Sequence, residues 1–463
     1  MLFSSLIFLY AFLPCTFLIY FLTPKKGKNV VLLLASLLFY AWGEPKYLIL
    51  ILLTMLLGFA AGLGIHRFRG HFLSRLCMLL SVTGCVGLLV FFKYGDFLLT
   101  AVGGVLGTSL PLWHLALPVG ISFYTFQILS YTIDLYRGDV EVQRNPVTFA
   151  LYVSLFPQLI AGPIVRYRDV ALELRERKHS AALAYEGACR FLVGLGKKVI
   201  LANNLGLLCQ SYRSSSEPSV LFAWLSAVGF FLQIYFDFSG YSDMAIGLGR
   251  ILGFHFPENF RYPYCSHSVT EFWRRWHISL GSWFREYLYI PLGGNRVSKP
   301  RLFLNLLIVW AATGIWHGAS WNFLFWGLYF AALLILEKWF LGRALKKAPR
   351  PVRHLYTLLL VVISWAIFAV EDFSLMGPYL SAMFGSAQGG GWDPAFGYYL
   401  RSYLPMLVVA SVASTPLGAM LWRRLPERMP KLALLTVLLL GGLLLSTAYL
   451  VDATYNPFLY FRF

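Results

Sequence analysis

Charge is what this sequence has least of. Asp, Glu, Lys and Arg together make 13% of its 463 residues, about half the share that clothes a soluble globular chain, so an ordinary water-soluble enzyme is excluded. Acidic residues are the scarcer sign: 21 Asp and Glu stand against 39 Lys and Arg, a net charge of +18. No zinc-finger spacing and no aromatic-rich polar sheet motif accompanies that excess, so it does not point to nucleic acid. Six cysteines (15, 77, 85, 189, 209 and 265) form no CxxC pair and no regular framework. They read as small buried hydrophobes and imply neither a disulfide scaffold nor a metal site. HExxH, carboxylate ladders and the glycine spacings of P-loops and Rossmann folds are also missing, which leaves metal binding and nucleotide hydrolysis without support.

What the chain has in abundance is apolar surface. Hydrophobic residues make 58% of it and aromatics 17%, with a mean hydropathy of +0.65, and they run in blocks of about 20 residues, the length that crosses a hydrocarbon core of about 30 Å. The sequence is that of an all-α polytopic membrane protein. Its basic excess is then the mark of cytoplasmic loops beside an anionic leaflet. No window is long and polar enough for a separate soluble domain, so 1–463 reads as one integral membrane domain.

The basic loops orient the spans. Residues 2–22 have no positive region before them and Lys25, Lys26 and Lys28 after them, so they read as a retained anchor with the N-terminus outside. Residues 30–42 and 46–65 follow as a pair, 76–94 and 117–136 as two further crossings. Residues 147–164 are interrupted by Pro157, Gly162 and Pro163 and flanked by Arg on both sides, the pattern of a segment that enters and leaves on the same face. Residues 181–208 carry Lys197 and Lys198 in their middle, a placement that demands protein or water around the charges. The long run 220–252 contains Asp237 and Asp243, and 253–301, dense in Arg and Trp, reads as an interfacial cytoplasmic segment. Then come 302–316 and 320–336, with basic flanks on both outer sides, forming a hairpin (302–338) whose first arm of about fifteen residues, or about 22 Å, is too short to span. Residues 355–370, 400–421 and 432–450 complete a count of about eleven spans with both termini outside.

Three residues stand out chemically. His317 lies at the tip of the apolar hairpin, between small residues, where an ionisable group is a functional candidate by default; a histidine merely satisfied by a backbone carbonyl is the alternative. Burial favours the neutral imidazole, which accepts a proton from a hydroxyl. His277, in EFWRRWHISL (271–280), is an orienting partner or substrate contact, or else an interfacial structural residue. Asp237, in YFDFSGYSD (235–243), is an acid among aromatics and hydroxyls, either functional or a node between helices. The other seven histidines lie in basic loops or flank segments and carry no such signal.

Six motifs, LPVGISFYTFQILSYTIDLYRG (117–138), LIAGPIVR (159–166), YFDFSGYSDMAIGLGRILGF (235–254), EFWRRWHISLGSWFREYLYIPLGGNR (271–296), TGIWHGASWN (313–322) and the final PFLYFRF (457–463), together resemble the membrane-bound O-acyltransferase family. The resemblance is closest to its bacterial branch of alginate and other polysaccharide O-acetyltransferases, and it runs through nearly the whole chain in order. It implies a ring of helices around a central passage reachable from both faces, with His317 as the catalytic histidine and His277 as the second motif histidine. It also implies a bacterial cytoplasmic (inner) membrane location, no permanently bound cofactor, and an acetyl thioester such as acetyl-CoA as donor substrate. The acceptor side would be a cell-surface polysaccharide, reached through an extracytoplasmic serine-hydrolase-like acetyltransferase partner. Trp316, Trp321 and Asn322 would shape the passage with Asp237, and Arg274, Arg275, Lys197 and Lys198 would meet the donor phosphates or, for the Arg pair, anionic lipid. D-alanyl transfer to teichoic acid is the rival within the family. A transporter or a noncatalytic scaffold of a polysaccharide synthase is the rival outside it.

Overall fold

A computed structural model describes residues 1–370, 372–426, 429–452 and 459. Among the described residues all regular structure is helical and there is no strand, as expected of a chain that satisfies its own backbone groups in lipid. The final motif 457–463 lies outside the described residues apart from Leu459. Among the described residues seven helices are long and apolar enough to cross a membrane, eight if one bent pair counts as a span. Other elements in the sequence count of about eleven are shorter, among them Phe8–Leu22, Lys28–Gly43 and Ile121–Arg137.

Two elements depart from the sequence reading. Residues 400–421, expected to cross as one helix, fall in the pair Pro394–Ala413 and Leu417–Arg424, bent by 68°. Pro416 breaks the run, since it lacks an N–H and disfavours helical geometry in the residue before it. The first arm of the hairpin is the 19-residue helix Lys299–His317, about 28 Å long. It begins earlier than its apolar run because Ser298 sits at the N-cap and a proline in the first turn is pre-set for helix. The interrupted segment 147–164 is broken as its proline requires, into Pro146–Ser154, Phe156–Leu159 and irregular chain.

Contacts divide the chain into two compact units, Met1–Phe191 with Tyr241–Pro257, and Leu192–Gly240 with Glu258–Phe463. In the first, Ile121–Arg137 buries 14 of its 17 residues, including Ser122, Gln127, Thr132 and Asp134, so it is an internal element and not a lipid-facing span. Leu48–Arg67 and Phe72–Leu106 pack against it.

The second unit has an aromatic core. Trp326 stacks on Trp365 at 5.8 Å, Trp276 meets Trp365 at 4.8 Å, and Trp273 packs edge-on against Phe330 at 4.8 Å. These rings join the hairpin Lys299–His317 and Trp321–Leu336 to Arg350–Ala369 and to the short helix Val269–Arg275 of the interfacial segment. Glu337, buried at the end of the hairpin, fastens that short helix. Its carboxylate accepts from the Val269 and Thr270 amides at 2.7 and 2.9 Å and from the Thr270 hydroxyl at 2.7 Å, so an acid meets the orphan N–H groups at a helix start.

Candidate active site

His317 ends the helix Lys299–His317, and the second arm of the hairpin turns back immediately after it. The arms touch backbone to backbone. A β-carbon on Gly314 would strike the Phe323 carbonyl, and one on Gly327 the Trp310 carbonyl. This approach sets the height of His317 against the second arm. Three rings then stand roughly perpendicular to the imidazole, Trp316 and Trp326 at 5.1 Å and Phe368 at 5.3 Å. The side chain is 7% exposed. Such a cage holds the ring in one orientation, which a proton-transfer group needs.

His277 is built differently. It links the helices Val269–Arg275 and Ile278–Phe284 with a φ of 43°, a left-handed conformation that is uncommon for any residue other than glycine and tends to mark functional sites. Its Nδ1 lies 3.1 Å from Asn259 Oδ1, and the Ser279 hydroxyl and amide also donate to that oxygen at 2.9 and 3.3 Å. With three hydrogen-bond groups converging on it, the Asn259 atom is the amide oxygen. His277 therefore carries its proton on Nδ1 and its lone pair on Nε2. The imidazole packs edge-on against Phe238 at 4.6 Å and faces Trp316 at 6.1 Å. Burial pushes its pKa well below the usual histidine value, and neighbouring His317 pushes it the same way. At neutral pH it is an uncharged acceptor.

A cavity of about 400 Å³ reaches His277. Arg274 and Arg285, both exposed, stand in its wall with Tyr289, and Trp310 and Thr313 form its hairpin side. Thr313 is one helical turn before His317, so cavity wall and imidazole share a face of that helix. A second cavity of about 830 Å³ lies at the far end of Arg350–Ala369, lined by Ala369 and Val370 with Tyr212, Arg213 and Tyr379. Phe368, which packs on His317, is the residue just before that wall. Within this unit, His317 is thus one helical turn from a wall residue of the first cavity and packs on the chain neighbour of a wall residue of the second.

A buried histidine held this way in an apolar hairpin is a candidate centre for proton transfer, and the comparison with known proteins gives the family in which it sits. The model of the membrane-bound O-acyltransferase family, MBOAT, matches residues 112–377. The chain belongs to that family. Relatives to this membrane-bound O-acyltransferase include a probable alginate O-acetylase AlgI of Azotobacter vinelandii, 42% identical over 83% of this chain and 78% of its own length. One of the same description from Pseudomonas putida is 37% identical over the whole of both chains. A peptidoglycan O-acetyltransferase of Helicobacter pylori is 36% identical over 83% of this chain and 80% of its own. Family membership makes the chain an acyltransferase of multi-pass membrane type and not a transporter.

In this acyltransferase His317, His277 and Trp316 come together, and Asn322 lies buried at the start of the second arm. Trp321 is 50% exposed, because the residue that opens the helix points away from its neighbour's face. Asp237 is in a different arrangement. Its Oδ1 is 2.6 Å from Lys198 Nζ with both side chains 2% exposed, and its Oδ2 accepts from the Leu459 amide at 2.9 Å. Lys198, which also donates to Asn203 at 2.9 Å, is therefore turned inward and not toward a phosphate. Arg275 is held by Glu271 at 2.6 Å. Of the four cations expected at the donor, Arg274 lines the cavity. Three contributors were not singled out from sequence: Arg285, Asn259 and Glu337. Glu337 had a readable signal, an acid ending an apolar arm. Asn259 had none, since nothing local announces which polar side chain meets a histidine 18 residues away.

Proposed function

We propose that this acyltransferase takes an acetyl group from acetyl-CoA on the cytoplasmic side of a bacterial inner membrane. The acetyl passes to a hydroxyl on the other side, for the O-acetylation of an alginate-like or other cell-surface polysaccharide. The observation that carries the reading is the 400 Å³ cavity that ends at neutral His277 and shares a helix face with His317. Its size suits a small-molecule site. Arg274 and Arg285 in its wall suit the donor's phosphates through charge-assisted hydrogen bonds. The names of the relatives support acetyl as the group and a polysaccharide as the final acceptor.

In this mechanism the thioester carbonyl is presented beside His317. The acceptor hydroxyl enters from the 830 Å³ cavity, borne by a serine of an extracytoplasmic hydrolase-like partner or by the sugar itself. His317 takes the hydroxyl proton as the oxygen attacks the carbonyl. The C–S bond then breaks, and the proton returns to the leaving thiolate. His277 holds the donor end of the site through its lone pair on Nε2. General base catalysis of this kind contributes about 10² to 10⁴ in rate.

The test is acetyl transfer or release from labelled acetyl-CoA by purified protein in nanodiscs, with wild type beside His317→Ala and both confirmed monodisperse. Turnover in the wild type and a loss of about 10² to 10⁴ in the variant is the expected result. A His317→Ala protein that keeps its turnover refutes the assignment.

A further inference from the structure

The polar group with least explanation in this unit is the Asn322 side chain. It is fully buried, and neither Oδ1 nor Nδ2 has a hydrogen-bond partner among the described residues. Buried amides are almost always bonded, and leaving one unmet is costly, so such a group calls for a functional reason. Its position supplies one. Asn322 lies in the first turn of Trp321–Leu336, and Trp326, one turn later on the same helix face, is the ring that packs on His317 at 5.1 Å. The backbone of the next residue, Phe323, is what meets Gly314, one turn before His317 on the other arm. Asn322 therefore sits in the layer of the hairpin that holds His317. It does not hydrogen-bond to His317, so orienting the base is not its task.

We infer that the Asn322 amide is the hydrogen-bond donor for the acyl carbonyl. As the acceptor oxygen adds to the thioester carbon, the carbonyl electron pair moves onto oxygen, and Nδ2–H donates to that oxyanion. When the carbonyl re-forms, the C–S bond breaks and the thiolate receives the proton from His317. A dry, pre-placed donor of this kind stabilises the transition state more than the ground state, because no water has to be reorganised at the moment of reaction. The inference rests on the acetyl-transfer reading above.

The experiment compares wild type, Asn322→Leu and Asn322→Asp as full-length protein in nanodiscs. Three readouts are taken: thermal unfolding, kcat and KM with acetyl-CoA, and binding of acetyl-CoA against S-ethyl-CoA, a thioether with no carbonyl. An amide that bonds only to substrate is replaced by near-isosteric leucine with no loss of unfolding temperature, while kcat falls about 10² to 10³ and KM moves less than threefold. The wild type prefers acetyl-CoA to S-ethyl-CoA, and Asn322→Leu loses the preference. Asn322→Asp, with no donor when ionised, is as slow as the leucine variant. Asn322→Leu with kcat within threefold of wild type overturns the inference alone. Stability and activity lost together in Asn322→Leu assign the amide to the fold and overturn it too. A wild type that binds neither CoA compound overturns the donor reading and the inference with it.

Discussion

The Lys198–Asp237 pair makes a quantitative test of how this membrane core is held. Both side chains are 2% exposed and their charged atoms are 2.6 Å apart, Lys198 has Asn203 as a second acceptor, and Asp237 takes the Leu459 amide. Removing one member of a buried pair leaves an uncompensated charge and costs about 3 to 5 kcal/mol. Lys198→Met is expected at that cost. Asp237→Leu is expected to cost more, because it also takes the acceptor from the Leu459 N–H, a bond to a charged group worth about 1.5 to 3 kcal/mol. The double variant removes both charges and recovers most of the loss, since a buried pair replaced by apolar groups is often neutral or stabilising. The residual deficit is about the value of the Leu459 bond. Equilibrium unfolding of the four proteins in one detergent gives the double-mutant cycle, whose coupling energy should be several kcal/mol. Additive effects, or single variants costing under about 1 kcal/mol in the range of exposed pairs, refute the reasoning.

Arg274→Ala and Arg285→Ala, at exposed positions of the cavity wall, are expected to raise KM for acetyl-CoA severalfold with kcat and unfolding temperature little changed, and the effect should shrink with rising salt; steady-state kinetics at two ionic strengths checks it. Gly327→Ala forces a methyl group onto the Trp310 carbonyl, so the hairpin arms part and His317 shifts; transfer activity and unfolding temperature are both expected to fall, with Gly314→Ala alike. His277 has a folded pKa below the ordinary value of about 6.5, so the unfolded chain binds the extra proton. Its stability contribution is complete above about pH 6.5 and declines as pH falls below that value. Unfolding temperature measured from pH 8 to 5 should drop on the acid side, and His277→Gln should flatten that part of the profile.

Some of the site was readable before any fold was known, for definable reasons. His317 announced itself because an ionisable residue between two apolar runs with basic flanks has few innocent explanations. The hairpin followed from two apolar runs joined by a short turn, but the length of its first arm did not, because that helix starts at Lys299, before the apolar run. Asp237 and Lys198 were each visible as charges placed inside apolar stretches, and the rule that such charges need protein around them was right for both. What escaped was that each is the other's surroundings. The two are 39 positions apart on different helices, and no local pattern encodes that pairing. The same limit applies to Asn259 and His277, and to Glu337 and the start of Val269–Arg275.

By itself the sequence determined the class of the molecule: helical, membrane-spanning, with a buried histidine at a hairpin tip and with family motifs in order. These properties depend on composition, on the run length that crosses a hydrocarbon core, and on residues adjacent in the chain. Tertiary structure alone decided which cations line the 400 Å³ cavity and which are spent inside, which ring nitrogen of His277 carries the proton, and which buried amide has no bond to make. Those outcomes depend on distances of a few ångströms between distant parts of the chain. In a medium of low dielectric constant, such distances decide whether a polar group is satisfied, neutralised or left available for substrate.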